Sequence, residues 1–290
     1  MTEIKKISSK DKIYPRALKK IKDAPKVLYY KGEMKPKEDC FAVVGARMYS
    51  AYGKQAALDI AGSLAENNLT IVSGLAPGID TFAHTAAVER RKRTIAVLGT
   101  GLDEKSVYPQ SNLKLARKIL ENGGCLISEY PPGTQGTRFT FPRRNRIVSG
   151  LSLGALVVEA KQKSGTLITA DFALSQKRKL FAVPGQIYSS NSKGTHRLIK
   201  KGAKLVESAN DILAALNFKL KKSNFPATAK GENDEENLIL GALKEEALYI
   251  DKIIEKTKLQ ASQVAATLAV LEIKGRVRNL EGNTYAISSS

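Results

Sequence analysis

Between residues 40 and 206 short apolar runs alternate with amphipathic stretches, the order a parallel sheet with crossover helices imposes on a chain. The runs predict strands at 41–44, 70–73, 94–98, 125–129, 155–159, 180–183 and 204–206. The stretches between them predict helices centred on 50–67, 79–90, 111–121, 166–176, 195–200 and 209–216. Runs such as Ala42-Val43-Val44 and Thr94-Ile95-Ala96-Val97-Leu98 lack alternating polar positions, so both of their faces must be covered. The expected fold class is therefore α/β, a doubly wound and mostly parallel sheet. Glycine follows nearly every strand, at Gly45, Gly74, Gly99, Gly101 and Gly185, and marks the carboxyl edge where such sheets bind ligands.

The periodicity stops at 217–236, where Lys, Ser, Pro, Gly and acids mix as in a linker. Beyond it, apolar stripes near 238–243, 250–256 and 262–274 precede a Gly282-Asn283 turn between Val277 and Tyr285-Ala286-Ile287. Three helices and a hairpin predict a small winged-helix domain over 237–290. Ser262 is expected to cap its third helix, with Val264, Leu268 and Leu271 facing the core. Residues 1–39 are expected to form a basic lead-in ahead of the Rossmann-like domain at 40–216.

Charge sharpens the picture. The chain carries 47 basic and 28 acidic residues, a net +19, which points to a polyanionic partner. Segment 40–216 holds 24 basic against 12 acidic residues, whereas 237–290 holds 7 against 6, so the excess lies on the sheet domain. An apolar content of 42% suits a packed core. Cys40 and Cys125 have neither metal-ligand nor disulfide-framework spacing, which fits a reducing compartment and leaves no metal site. The N-terminus has no apolar signal region, and no run approaches the roughly 18 apolar residues that span a bilayer. A cytoplasmic protein with no membrane partner is expected.

The candidate chemistry is phosphate binding. Phe141-Pro142-Arg143-Arg144-Asn145-Arg146 places three guanidinium groups beside the interior, where an unpaired charge costs several kcal/mol and a phosphate accepts paired bonds from each fork. Gly45-Ala46-Arg47 ends the first strand with arginine where a dinucleotide site would need its second glycine; Arg47 suits a phosphodiester, or alternatively pairs with Asp80. Ser73-Gly74-Leu75-Ala76-Pro77-Gly78-Ile79-Asp80 reads as a phosphate cradle or as a plain turn whose Asp80 caps a helix and whose His84 packs inside. Lys163-Ser164-Gly165-Thr166 opens a helix with a lysine, two hydroxyls and free amides, or is an ordinary N-cap. His196, in Lys193-Gly194-Thr195-His196-Arg197, is free to stack on a base or to face solvent; Phe139, Phe141 and Tyr188 are further stacking candidates.

Gly99-Thr100-Gly101-Leu102-Asp103-Glu104-Lys105-Ser106 fails as a nucleotide-triphosphate loop, because Glu104 replaces its second glycine and Tyr108-Pro109 interrupts the helix that should follow. With two histidines and no hydrolase motif, no catalytic residue is nominated and no cofactor is expected. Glu129 and Glu159, which end strands, keep a carboxylate-assisted reaction on a nucleotide open as the alternative.

The ordered set Gly45-Ala46-Arg47, Ser73 to Asp80, Phe141 to Arg146 and Ser164-Gly165-Thr166-Leu167-Ile168-Thr169-Ala170 resembles the DNA-processing protein A family, DprA/Smf. Tyr14-Pro15, Val27-Leu28-Tyr29-Tyr30-Lys31-Gly32, Ser128-Glu129-Tyr130-Pro131-Pro132-Gly133 and Phe181-Ala182-Val183-Pro184-Gly185 extend the likeness over 14–216. The resemblance implies an extended Rossmann domain that binds single-stranded DNA without a cofactor, forms a homodimer and loads the RecA recombinase in natural transformation. By position it assigns the DNA groove to Arg47, Arg143, Arg144, Asn145, Arg146, Lys163, Ser164, Gly165 and Thr166. Ala46 departs from the usual Ser or Thr, and the 39 leading residues leave no room for the N-terminal helical domain of many relatives. The competing functions are an enzyme like the lysine-decarboxylase-like phosphoribohydrolases, and a winged helix that reads DNA while the sheet serves as scaffold.

Overall fold

The computed structural model describes residues 3–218, 231–280 and 282–287. The chain divides into two compact units, 1–220 and 221–290.

The first unit runs β1 (Lys5–Ser8), α1 (Arg16–Lys19), β2 (Val27–Gly32), β3 (Cys40–Val44), α2 (Ala51–Glu66), β4 (Thr70–Ser73), α3 (Ile79–Glu89), β5 (Thr94–Leu98), α4 (Leu113–Glu121) and β6 (Cys125–Ser128). It continues with α5 (Thr140–Leu151), β7 (Gly154–Val157), α6 (Thr166–Ser175), β8 (Lys179–Ala182), α7 (Lys193–Lys200), β9 (Lys204–Leu205) and α8 (Ala209–Ala215). The strands form one sheet in the order β1-β2-β6-β5-β4-β3-β7-β8-β9. All neighbours from β6 to β9 are parallel; β1 and β2 are antiparallel additions at one edge. The chain fills the sheet outward from β3 to β6, then crosses back through α5 to place β7 on the other side of β3, so the winding reverses between β3 and β7. Ligands of doubly wound sheets bind at this point of reversal.

The period of two along β3 explains the layering. Cys40, Ala42 and Val44 pack with Leu18 of α1, Ile147, Val148 and Leu151 of α5, and Ala170 and Ala173 of α6. Phe41 and Val43 pack on the other face with Ile60 and Leu64 of α2, Ile79 and Ala83 of α3, and Ile212 of α8. A third cluster under α4 holds Leu98, Ala116 and Ile119.

Two expectations are corrected. Residues 1–39 are no lead-in to the sheet domain: β1 and β2 belong to its sheet, with Tyr29 in register with Ser128 and Gly32 with Cys125. Tyr14 and Leu18 are buried in the same core. The segment 140–151, read only as a charge cluster, is a helix. Thr137 and Thr140 cap its start reciprocally, each side-chain oxygen accepting from the other's backbone N–H at 3.2 and 2.9 Å. Pro142 lies in the first turn, where an absent N–H breaks no intrahelical bond.

The second unit holds α9 (Asp234–Ala242), β10 (Leu248–Tyr249), α10 (Ile250–Thr257), α11 (Ala261–Ile273), β11 (Val277–Asn279) and β12 (Thr284–Ile287), with its sheet ordered β10-β12-β11. Ile239, Ile253, Val264, Leu268 and Leu271 fill its core. The three helices and the hairpin are as the periodicity predicts. The cap of α11 is Gln260 rather than Ser262: the helix begins a residue before Ser262, and the Gln260 N–H donates to Gln263 Oε1 at 3.1 Å. Gly282 and Asn283 both have positive φ, 62° and 58°, as a tight hairpin turn requires.

Candidate nucleic-acid interface

At the reversal between β3 and β7 the carboxyl edge opens into a hollow of about 490 Å³. The end of β3 contributes Gly45, Arg47 and Met48, the end of β4 Gly74, the first turns of α5 Phe141, Arg144 and Asn145, and the loop into α6 Lys161, Lys163, Ser164, Gly165 and Thr166. Arg138 stands at the entrance to α5. Close packing brings these loops together. A Cβ on Gly45 would come within 2.6 Å of Ile79, so only glycine lets the β3 loop lie against α3. The Thr166 hydroxyl donates to the Gly45 carbonyl at 2.9 Å, and Asn145 Nδ2 to the Gly165 carbonyl at 3.4 Å.

Five cationic side chains line the hollow against one carboxylate, Asp80. Arg144 and Asp80 face each other beneath it and are both buried. Arg144 donates to the carbonyls of Gly74 and Val97, and Asp80 accepts from the Gly74 N–H at 3.0 Å. Burial draws the Arg144 guanidinium down to about 10 and pushes the Asp80 carboxyl up; each charge opposes the other's shift. The remaining four cations, Arg47, Arg138, Lys161 and Lys163, are exposed, and among the described residues none is in an ion pair. The Arg47 guanidinium lies 5.9 Å from the centroid of the Phe141 ring, which packs in turn on Tyr108 at 5.2 Å. Arg138 sits 4.8 Å from the ring of Phe139, a side chain exposed to 69%. Cations held over aromatic faces with no internal anion are suited to a strand that offers phosphates and bases together.

The structure divides the sequence candidates. Gly45, Arg47, Gly74, Phe141, Arg144, Asn145, Lys163, Ser164, Gly165 and Thr166 meet at the hollow. Gly78, Arg143, Arg146 and His196 do not line it. Gly78 shapes the turn into α3, with φ of 85° and a position where an added Cβ would strike the carbonyl oxygens of Ala46 and Arg47, the latter at 2.6 Å. Arg146 is buried on the far side of α5, where it pairs with Glu129 at 2.7 Å and Asp23 at 3.0 Å. The premise that three interior arginines need an external anion fails for Arg146, which takes two carboxylates of the protein; Arg144 donates to two carbonyls while its Nε has no hydrogen-bond partner among the described residues. His196, in α7, has Nε2 3.0 Å from the carbonyl of Gly185 in the loop that leads into that helix. The amides expected free at the start of α6 are occupied: Thr166 N–H donates to Ser164 Oγ at 3.2 Å, Leu167 N–H to the Ser164 carbonyl and Ile168 N–H to that of Gly165. The alternative pairing of Arg47 with Asp80 is not formed. Arg138 and Lys161 were missed by sequence reasoning; Lys161 stands just past the end of β7, where the strand-end rule already pointed.

His84 is buried with Nδ1 2.8 Å from Thr94 Oγ1, and burial pulls its ring down to about 3. The two strand-end glutamates are both engaged. Glu159 accepts from Ser50 N and Oγ at 3.0 and 2.5 Å, and Glu129 binds Arg146.

A family model, DNA recombination-mediator protein A, matches residues 5–217, and one for the DprA winged helix domain matches residues 223–283. The DNA processing protein DprA of Streptococcus pneumoniae is 47% identical over 212 residues, 72% of this chain and 73% of that protein. Protein Smf of Escherichia coli is 38% identical over 284 residues, 95% of this chain and 75% of that protein. Among solved structures, the S. pneumoniae protein superposes with a TM-score of 0.69 at 44% identity, covering 76% of each chain. DNA processing protein A from Helicobacter pylori, described for its single-stranded DNA binding mode, superposes with a TM-score of 0.65 at 31% identity, covering 75% of this chain and 98% of that one.

Proposed function

The chain belongs to the DNA recombination-mediator protein A family, and on that premise we propose that it binds single-stranded DNA in the hollow at the β3–β7 reversal, without covalent chemistry. One observation carries the reading: Arg47, Arg138, Lys161 and Lys163 surround the hollow, exposed and with no ion-pair partner among the described residues, while the fifth cation, Arg144, is buried below with the Asp80 charge acting on it. Phosphates would meet the four free cations and bases the rings of Phe141 and Phe139, a mode that reads no sequence. Protection of incoming DNA, loading of the RecA recombinase and a homodimeric state follow from the family resemblance and are part of the proposal. A nucleotide-cleaving enzyme would need a carboxylate free to act, and Glu129 and Glu159 are both held by internal donors.

The experiment is binding of oligothymidine across a salt series. Four phosphate contacts predict a log-log slope near −3 for a single strand, and Arg47→Ala should weaken every sequence alike and flatten the slope by roughly one unit. A flat salt response accompanied by cleavage of nucleoside monophosphates would overturn the reading.

A further inference from the structure

A second hollow, about 790 Å³, opens on the other side of the first turns of α5. Lys22, Lys26, Arg143 and Arg146 supply its cations, Asp23 and Glu129 its carboxylates. Buried Arg146 bridges both carboxylates, at 3.0 and 2.7 Å. Arg143 lies 3.4 Å from Glu129 with its side chain 63% exposed. Lys22 and Lys26 are exposed, and among the described residues neither has an ion-pair partner. The hollow therefore presents Lys22 and Lys26 without ion-pair partners among the described residues, while Arg146 and Arg143 engage its carboxylates, of which Glu129 is largely buried and Asp23 half exposed.

The two hollows are contiguous. Pro142 and Ile168 line both, so the start of α5 and that of α6 form the ridge between them. Along α5, Phe141, Arg144 and Asn145 face the first hollow while Arg143 and Arg146 face the second, as helical spacing requires of residues three apart. A phosphodiester strand that leaves Arg138 and Lys163 and crosses this ridge meets Lys22, Lys26 and Arg143.

Resting on the reading of the first hollow given above, we propose that the bound single strand crosses the ridge at Pro142 and Ile168 and continues into the second hollow, where Lys22, Lys26 and Arg143 receive its phosphates. The segment 22–26 is then part of the DNA site, and the footprint of one protomer exceeds what the first hollow holds.

The test compares two oligothymidines, one of about 5 nucleotides, which carries the four phosphates the first hollow takes up, and one of about 12, within the span of known single-strand site sizes. The intact chain should bind the longer one with the steeper salt slope. The double variant Lys22→Ala/Lys26→Ala should lose about 1.4 units of slope on the longer oligonucleotide and none on the shorter. Both lysines are exposed and hold no anion among the described residues, so the variant keeps the fold. Equal slopes for the two lengths, or a double variant indistinguishable from the parent on the longer strand, overturn the inference. Failure of the first-hollow reading looks different: Arg47→Ala would then leave the shorter oligonucleotide unaffected.

Discussion

Arginines that look alike in the sequence have opposite tasks, and the task follows from what lies within reach of each fork. Arg47 is exposed, lies over the Phe141 ring and has no ion-pair partner among the described residues, so its removal is chiefly an electrostatic loss. Arg144 is buried and donates to two carbonyls, with the Asp80 charge acting on it, and Arg144→Ala would leave those acceptors without their donor. Leaving a buried polar group unsatisfied costs about 1 to 3 kcal/mol. Urea unfolding of Arg144→Ala should show a loss on that scale, whereas Arg47→Ala should unfold like the parent. Equal stabilities would mean that Arg144 is no keystone of the site. His84 yields a second test at this scale. Burial lowers its folded value to about 3, below the ordinary 6.5, so the unfolded chain takes up the proton first as pH falls. Stability from this group is intact above pH 6.5, drains by about 1.4 kcal/mol per pH unit below it and levels off near pH 3. Unfolding midpoints measured between pH 7 and 4 should decline less steeply in His84→Gln than in the parent; parallel declines would contradict the assignment.

Elements were legible where burial is two-sided. The strands β3, β4 and β5 are buried at every position, and their ends match the sequence pattern within a residue. Where one face is wet or a helix buries charge, the pattern dissolves. Strand β1 reads Lys5-Lys6-Ile7-Ser8 and buries only Ile7, too little for any period to register. Helix α5 begins Thr140-Phe141-Pro142-Arg143-Arg144-Asn145-Arg146, and two of its buried positions are arginines that no apolar count recognises. The site was legible by the strand-end rule, which found the loops, while side-chain direction was not, since partners such as Asp80 and Glu129 come from distant segments. Turn chemistry offers a test at this scale. Gly78 has φ 85° and ψ −130°, a region nearly closed to other residues, and an added Cβ would strike the backbone carbonyls of the Arg47 loop. Gly78→Ala should cost about 1 to 3 kcal/mol in urea unfolding and weaken strand binding by displacing Arg47. A variant that matched the parent in both would show that the loop has slack to accommodate it.

At the scale of the whole molecule the question is which unit holds the strand. Charge is concentrated on the sheet unit, and the surface of the winged helix points the same way. Helix α11, which in winged helices enters a DNA groove, contains no Lys or Arg from Ala261 to Ile273. Its exposed positions are alanines with Ser262, Val270, Glu272 and Ile273, the last 88% exposed. A helix without cations forgoes the phosphate attraction that supplies most non-specific affinity. The two units have separate cores, with Ile239, Val264 and Leu268 forming that of the smaller one. The sheet unit is therefore expected to fold without the other. A chain ending at residue 220 should retain single-strand binding with a loss of less than about tenfold, roughly 1.4 kcal/mol, and with the salt slope unchanged. Both readouts matter, because slope counts phosphates released from counterions whereas affinity also includes stacking and orientation. If the shortened chain stays folded by circular dichroism yet loses both, the strand belongs to residues 221–290. If slope survives while affinity collapses, the sheet unit supplies the charge and the smaller unit the remaining contacts.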